Sequence, residues 1–275
     1  MSSMKTIFDE IDQKTEKATK SIVKAPFGYI GGKSRSVKYI LPMLPYMKTY
    51  VEPFGGSASV LLARKPSPCE VFNDRFAGVV AFYRCMRDKS LTDALINWIE
   101  WTVNSKEDFI FCQETWKDCA DPVERAGRWL YMASYSYAGC GRSWGRTLDA
   151  SSHKLYKRIP LIREVHYRFT DVLVDNADWY DCITKYDSPD TVFYIDPPYP
   201  STDKGCYRHD LTDEDHEHLL DTIFSCKGFC AVSGYHHPIY SRRKWDETYN
   251  WKVFTPSGTR SRSDNVAEEY LWLKT

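Results

Sequence analysis

The chain has no excess charge: 37 lysines and arginines balance 37 aspartates and glutamates across 275 residues. Overall attraction to a polyanion is therefore excluded, and a nucleic-acid partner would have to be met by a local basic surface. Long apolar runs are missing too. No stretch reaches the ~20 apolar residues that span a bilayer, and the first residues lack the apolar core of a secretory signal. A cytoplasmic enzyme with no membrane partner is the expectation. The nine cysteines are odd in number and form no Cys-x-x-Cys pair, a pattern of reduced thiols rather than a disulfide framework or a zinc site. His216 and His218 stand two apart, so on a helix they point in different directions and cannot easily share an ion. No metal is expected. Internal repeats and low-complexity tracts are absent. So is a full G-x-G-x-x-G, which argues against a dinucleotide with its pyrophosphate.

What is present begins with Asp196-Pro197-Pro198-Tyr199, after the apolar run Val192–Ile195, a buried strand by its pattern. The prolines supply no backbone donor, so carbonyls there can face a ligand. An ionised Asp196 can accept from an exocyclic amine, the Pro197 carbonyl can accept its second proton, and Tyr199 offers a π-face to a base. Upstream, Glu52-Pro53-Phe54-Gly55-Gly56-Ser57 lies between a short strand and an apolar helix. Paired glycines in such a turn let backbone approach a ligand closely. The strand ending at Asn73-Asp74 places an acid about twenty residues further on, suited to a ribose hydroxyl pair. Earlier still, Tyr29-Ile30-Gly31-Gly32-Lys33 could set an ammonium against a ligand carboxylate. Its glycine spacing is not that of a phosphate-binding P-loop.

Together the three motifs resemble the Dam-type N6-adenine DNA methyltransferases, which use S-adenosylmethionine, and their order with a long insert resembles the alpha subgroup. The resemblance covers about Pro26 to Lys274. It implies a Rossmann-like, doubly wound α/β sheet of seven strands with an inserted, mostly helical target-recognition domain. It also implies that the chain methylates N6 of a flipped-out adenine in double-stranded DNA, releasing S-adenosylhomocysteine. Carried over by position, Asp196, Pro197 and Tyr199 are catalytic. Tyr29, Lys33, Glu52, Phe54, Gly55, Asp74, Asp178 and Asp196 hold the cofactor, with Lys33 near its methionine carboxylate, Asp74 at the ribose and Asp178 at the adenine. The turn departs from the family at Gly56 and at Ser59, where a glycine is common. The same chemistry on RNA, or a DNA-binding protein that has lost turnover, are the alternatives.

Seven strands are expected at Thr49–Glu52, Glu70–Asn73, Asp171–Val174, Val192–Ile195, Phe229–Ser233, Trp251–Phe254 and Glu268–Leu273. Helix starts are signalled at Asp121-Pro122 and at Thr212 to Asp215. The expected division is a polar extension over 1–24, a methyltransferase domain over 25–95 and 168–275, and the insert over 96–167. Charge is segregated within it: from Arg125 to Arg168 there are nine basic residues and only two acids, Asp149 and Glu164. Such a strip is a usual footprint for phosphates. Arg142, Trp144 and Arg146, in a glycine-rich loop, are candidates to read bases, and Lys154, Lys157 and Arg158 to grip the DNA backbone. The sequence does not specify the oligomeric state, and a monomer is one reading of it.

Overall fold

The computed structural model describes residues 23–29, 31–136, 139–145, 155–200, 211–254 and 266–275. Seven strands form one sheet: β1 (Thr49–Glu52), β2 (Cys69–Asn73), β3 (Leu173–Asp175), β4 (Thr191–Ile195), β5 (Phe229–Tyr235), β6 (Glu247–Phe254) and β7 (Val266–Lys274). Their order is β3-β2-β1-β4-β5-β7-β6. The first five are parallel, whereas β7 runs antiparallel to β5 and β6 to β7. Order reverses between β1 and β4, and in open α/β sheets the crevice beyond the strand ends at such a point is where ligands bind. Every strand expected from sequence exists. The largest extension is in β6, which starts at Glu247 because it pairs with β7 from Val266 to Leu273.

Helices cover both faces: α1 (Val37–Ile40), α2 (Ser59–Ala63), α3 (Ala77–Met86), α4 (Lys89–Glu100), α5 (Lys106–Thr115), α6 (Pro122–Tyr135), α7 (Ile159–Phe169), α8 (Trp179–Tyr186), α9 (Asp213–Ser225) and α10 (Pro238–Ser241). Both signalled helix starts are capped as their residues require. Asp121 accepts from the Glu124 amide with Pro122 in the first turn, and Thr212 forms a capping box with Asp215. Successive strand residues point to opposite faces, which gives the sheet two cores. Tyr50, Phe72, Val192 and Tyr194 pack with α3, α4, α6 and α7 on one side. Val51, Val71, Phe193 and Ile195 pack with α8, α9 and α10 on the other.

Positions 96 and 167, the sequence-read limits of the insert, fall inside α4 and α7. Helical residues within those limits, among them Ile99, Phe109, Leu130 and Ile162, join the cluster that covers Tyr50 and Phe72. The basic stretch therefore includes helices built into the core of the sheet. The expected N-terminal extension lies, apart from residues 23 and 24, outside the described residues. Among the described residues no helix is long and apolar enough to cross a membrane.

Candidate active site

A cavity of about 380 Å3 opens beyond the ends of β1, β2 and β4, within the size range of small-molecule and cofactor sites. Its wall brings the three motifs together: Tyr29, Gly31 and Lys33 from the first, Glu52 to Ser57 from the second, and Asp196 to Pro198 from the third. Asp74 and Asp178 line it as well.

The turn after β1 is shaped by contacts that exclude larger residues. A Cβ on Gly55 would lie 2.2 Å from the Phe72 ring, so the chain passes there only without a side chain. Gly56 adopts φ +48° and donates its amide to Asp74 Oδ2 at 2.7 Å. Ala58 is left-handed, with φ 52°, an uncommon conformation for a residue with a Cβ. Asp74 Oδ1 accepts from the Phe76 amide at 2.7 Å. Each Asp74 oxygen keeps a lone pair for a further donor. Burial lifts this carboxyl to about 6, against the pull of the two amides.

Glu52 is buried and accepts from the Tyr50 hydroxyl at 2.8 Å. Burial pushes its carboxyl up to about 8, more than the Tyr50 bond draws it down. Burial thus favours its neutral form. Phe54 stacks on Trp179, with centroids 6.4 Å apart. Asp178 caps α8 through the Tyr180 amide and pairs with Arg75 across the cavity rim.

Asp196 directly follows β4 and is densely bonded. Its Oδ1 accepts from Lys33 Nζ at 2.7 Å, Ser233 Oγ at 2.9 Å and Tyr199 Oη at 3.1 Å. Its Oδ2 accepts from Lys33 alone among these, at 2.6 Å. Burial raises the carboxyl above its ordinary range, although Lys33 and Ser233 draw it down. Lys33, expected near a cofactor carboxylate, thus sits on the carboxylate of the third motif. Tyr199 also differs from expectation. It is buried behind Asp196 with Lys33 Nζ 5.0 Å from its ring centroid and Tyr235 edge-on at 4.7 Å. Its hydroxyl is engaged as well as its face.

Sequence reasoning missed several neighbours. Trp129, Met132 and Ala133 of α6 line the cavity, as do Gly139, Cys140 and Gly141 of the following loop. On a helix with a buried stripe they read as core, and nothing local distinguishes them. Gln113 pins that loop by donating to the Gly141 and Arg142 carbonyls at 2.7 and 3.0 Å. Arg142 is exposed, and Trp144 donates to Asn104 at 3.4 Å. Lys157 is exposed on a 3-10 turn over Leu155–Arg158. Arg158, expected on a DNA backbone, instead donates to the Pro26 carbonyl at 2.5 Å and holds the segment leading to Tyr29. Arg146 and Lys154 lie outside the described residues. Arg158→Ala is accordingly expected to cost ~1–2 kcal/mol of stability in urea unfolding. Unchanged stability with weakened DNA binding would return Arg158 to the interface.

No three His, Cys, Asp or Glu side chains converge as a metal site among the described residues. His216 is buried against the Tyr240 hydroxyl, and burial pushes it down to about 4. His218 packs on Trp179 and Tyr180.

Residues 29–252 match the D12 class N6 adenine-specific DNA methyltransferase, a span that encloses all three motifs. The chain belongs to that family. Among curated relatives, the modification methylase StsI of Streptococcus sanguinis is 24% identical over 219 residues, covering 72% of this chain and 32% of its own. The DNA adenine methylase of Salmonella typhi is 29% identical over 179 residues, covering 62% of this chain and 63% of its own. The chain thus spans about a third of the first relative's length and just under two thirds of the second's. Within the D12 family frame, the cavity joins the motif that ends in Asp196 to the glycine turn and Asp74.

Proposed function

We propose that the chain transfers a methyl group from S-adenosylmethionine to N6 of an adenine flipped out of duplex DNA. The carrying observation is a single cavity in which the Asp196 carboxylate faces the turn of Gly55 and the Asp74 carboxylate. One ligand can therefore reach from a ribose acceptor to an amine acceptor. The cavity fits that cofactor: Asp74 has lone pairs for ribose hydroxyls, Phe54 and Trp179 give an aromatic wall, and Asp178 stands at the rim. Bound there, S-adenosylmethionine supplies a methyl carbon activated by its sulfonium.

The chain's residues then do the positioning. An adenine amine is flat and conjugated, and its lone pair becomes available when both its hydrogens are held by acceptors. Asp196 Oδ2 and the Pro197 carbonyl are the acceptors proposed. On transfer the methyl carbon would pass from the sulfonium, which would leave as a neutral thioether, to the amine nitrogen, and Asp196 Oδ2 would take the proton that the nitrogen gives up and release it to solvent. Proximity and fixed dipoles supply the acceleration. The target lies inside a duplex, so the base must leave the stack to reach the cavity. The segment 96–167 is assigned to target recognition, with the loop of Arg142 and Trp144 at the duplex.

Incorporation of labelled methyl groups tests this directly. Label is expected in N6-methyladenine of unmethylated duplex DNA, with little in single strands or RNA. Label confined to RNA, or no label with DNA still bound, would favour one of the other two readings. Arg142→Ala is expected to relax discrimination at one base pair by ~1–3 kcal/mol. Lys157→Ala should weaken binding to all DNA alike and reduce its salt dependence. Equal losses on every single-base-substituted site in the Arg142 variant would assign that arginine to phosphate.

A further inference from the structure

Behind Asp196 lies a second buried carboxylate, Glu269 of β7, 4% exposed and beyond the residues that match the family. It stands opposite Tyr235 and Trp251 in the sheet register. Its Oε1 accepts from the Tyr199 hydroxyl at 3.1 Å and lies 3.4 Å from Lys33 Nζ. Its Oε2 accepts from Ser36 Oγ, which in turn accepts from Trp251 Nε1 at 3.2 Å. The side chain is thus fixed from both ends.

An ammonium has three hydrogens. Lys33 directs them at both Asp196 oxygens and at the Gly31 carbonyl, 2.8 Å away. Asp196 Oδ1 is crowded by Lys33, Ser233 and the Tyr199 hydroxyl, whose one hydrogen it shares with Glu269, so the open place for an incoming amine is on Oδ2, beside Lys33. An amine bound there competes with Lys33 for the negative charge of Oδ2 and loosens the ammonium's hold on it. Among the described residues the other carboxylate within ion-pair reach of Lys33 is Glu269. We propose that Glu269 is a positioning residue for methyl transfer: it holds the Tyr199 hydroxyl and takes over the Lys33 ammonium when an amine occupies Asp196. The proposal rests on the methyl-transfer reading given above.

Charge points the same way. Among the described residues one ammonium serves two carboxylates, which leaves these three groups one negative charge in excess. The transfer moves positive charge from sulfur to the amine nitrogen beside Asp196, and a buried, fixed negative excess favours that movement. The Tyr199 hydroxyl lies 3.1 Å from an oxygen of each carboxylate, so its one hydrogen can turn to either.

Glu269→Gln keeps the shape and an acceptor oxygen but removes the charge. Two measurements read its effect. In the ligand-free protein, carbon-13 NMR follows the titration of the Asp196 carboxyl. The titratable and charged groups around it are Lys33, Glu52, Tyr194, Tyr199, Tyr235, Tyr240 and Glu269. With the repelling Glu269 charge gone and Lys33 wholly on Asp196, its midpoint is expected to fall by roughly one pH unit. On adenine-containing duplex, kcat is expected to fall about tenfold, with KM for cofactor and for DNA changed less than about threefold. An unmoved titration, or a kcat within about twofold of the parent, overturns the proposal. If the glutamine variant does not fold, Glu269→Asp keeps the charge but shortens the reach. Its kcat should drop while Asp196 titrates as in the parent, and full activity would overturn the proposal. A parent that methylates no DNA faults the methyl-transfer reading, whereas the titration tests Glu269 without turnover.

Discussion

Asp196→Ala is expected to lower the methylation rate at least ~1000-fold, equivalent to about 4 kcal/mol of transition-state stabilisation. The carboxylate is the acceptor at the cavity wall whose interaction with the amine strengthens as positive charge develops on nitrogen. Its removal also strips Lys33, 5% exposed, of its two closest oxygens. Breaking a buried ion pair usually destabilises strongly because one charge is left alone. Here Glu269 stands 3.4 Å from the same ammonium and can receive it. The variant should therefore stay folded, with cofactor and DNA binding still measurable by calorimetry. Turnover close to the parent's would remove Asp196 from the catalytic role. A collapse of the melting transition together with activity would show that the residue holds the fold instead.

Gly55→Ala should have the second large effect, through shape rather than charge. The added methyl would stand 2.2 Å from the Phe72 ring. That ring is fully buried against Tyr83, with centroids 4.5 Å apart, and against Phe169 at 5.8 Å. It has nowhere to go, so the turn itself must move. Overpacking of this kind costs ~1–3 kcal/mol and at times more. The displacement falls on the turn that ties Gly56 to Asp74. Cofactor affinity is expected to drop at least about tenfold, with a lower melting temperature. Unchanged affinity in a folded variant would mean that the cofactor does not lean on this turn.

Much of the architecture was legible in the residues. The seven strands stood out because each is a short apolar run bounded by turn residues or charge, and the same run must pack on both faces of a covered sheet. The start of α9 was legible because Thr212 and Asp215 satisfy each other's backbone donors locally. The three motifs were legible for a similar reason: prolines, paired glycines and a strand-end acid act through their own short stretches of backbone.

The partnerships among those motifs depended on folding. Lys33 and Asp196 are 163 positions apart, and Ser36 and Glu269 are 233 apart. A lysine seeks the nearest buried carboxylate in space, and spacing along a chain does not specify which one that is. Glu269 looked like an ordinary charged residue in a C-terminal strand. It became part of the site because β7 turns antiparallel beside β5 and brings it over Tyr199 and Lys33. Arg158 changed its meaning by the same route, since the Pro26 carbonyl lies 132 positions away and meets it only in the folded chain. Local chemistry in the sequence determined which groups could act. Only the crossing of distant strands decided which charge each of them faces.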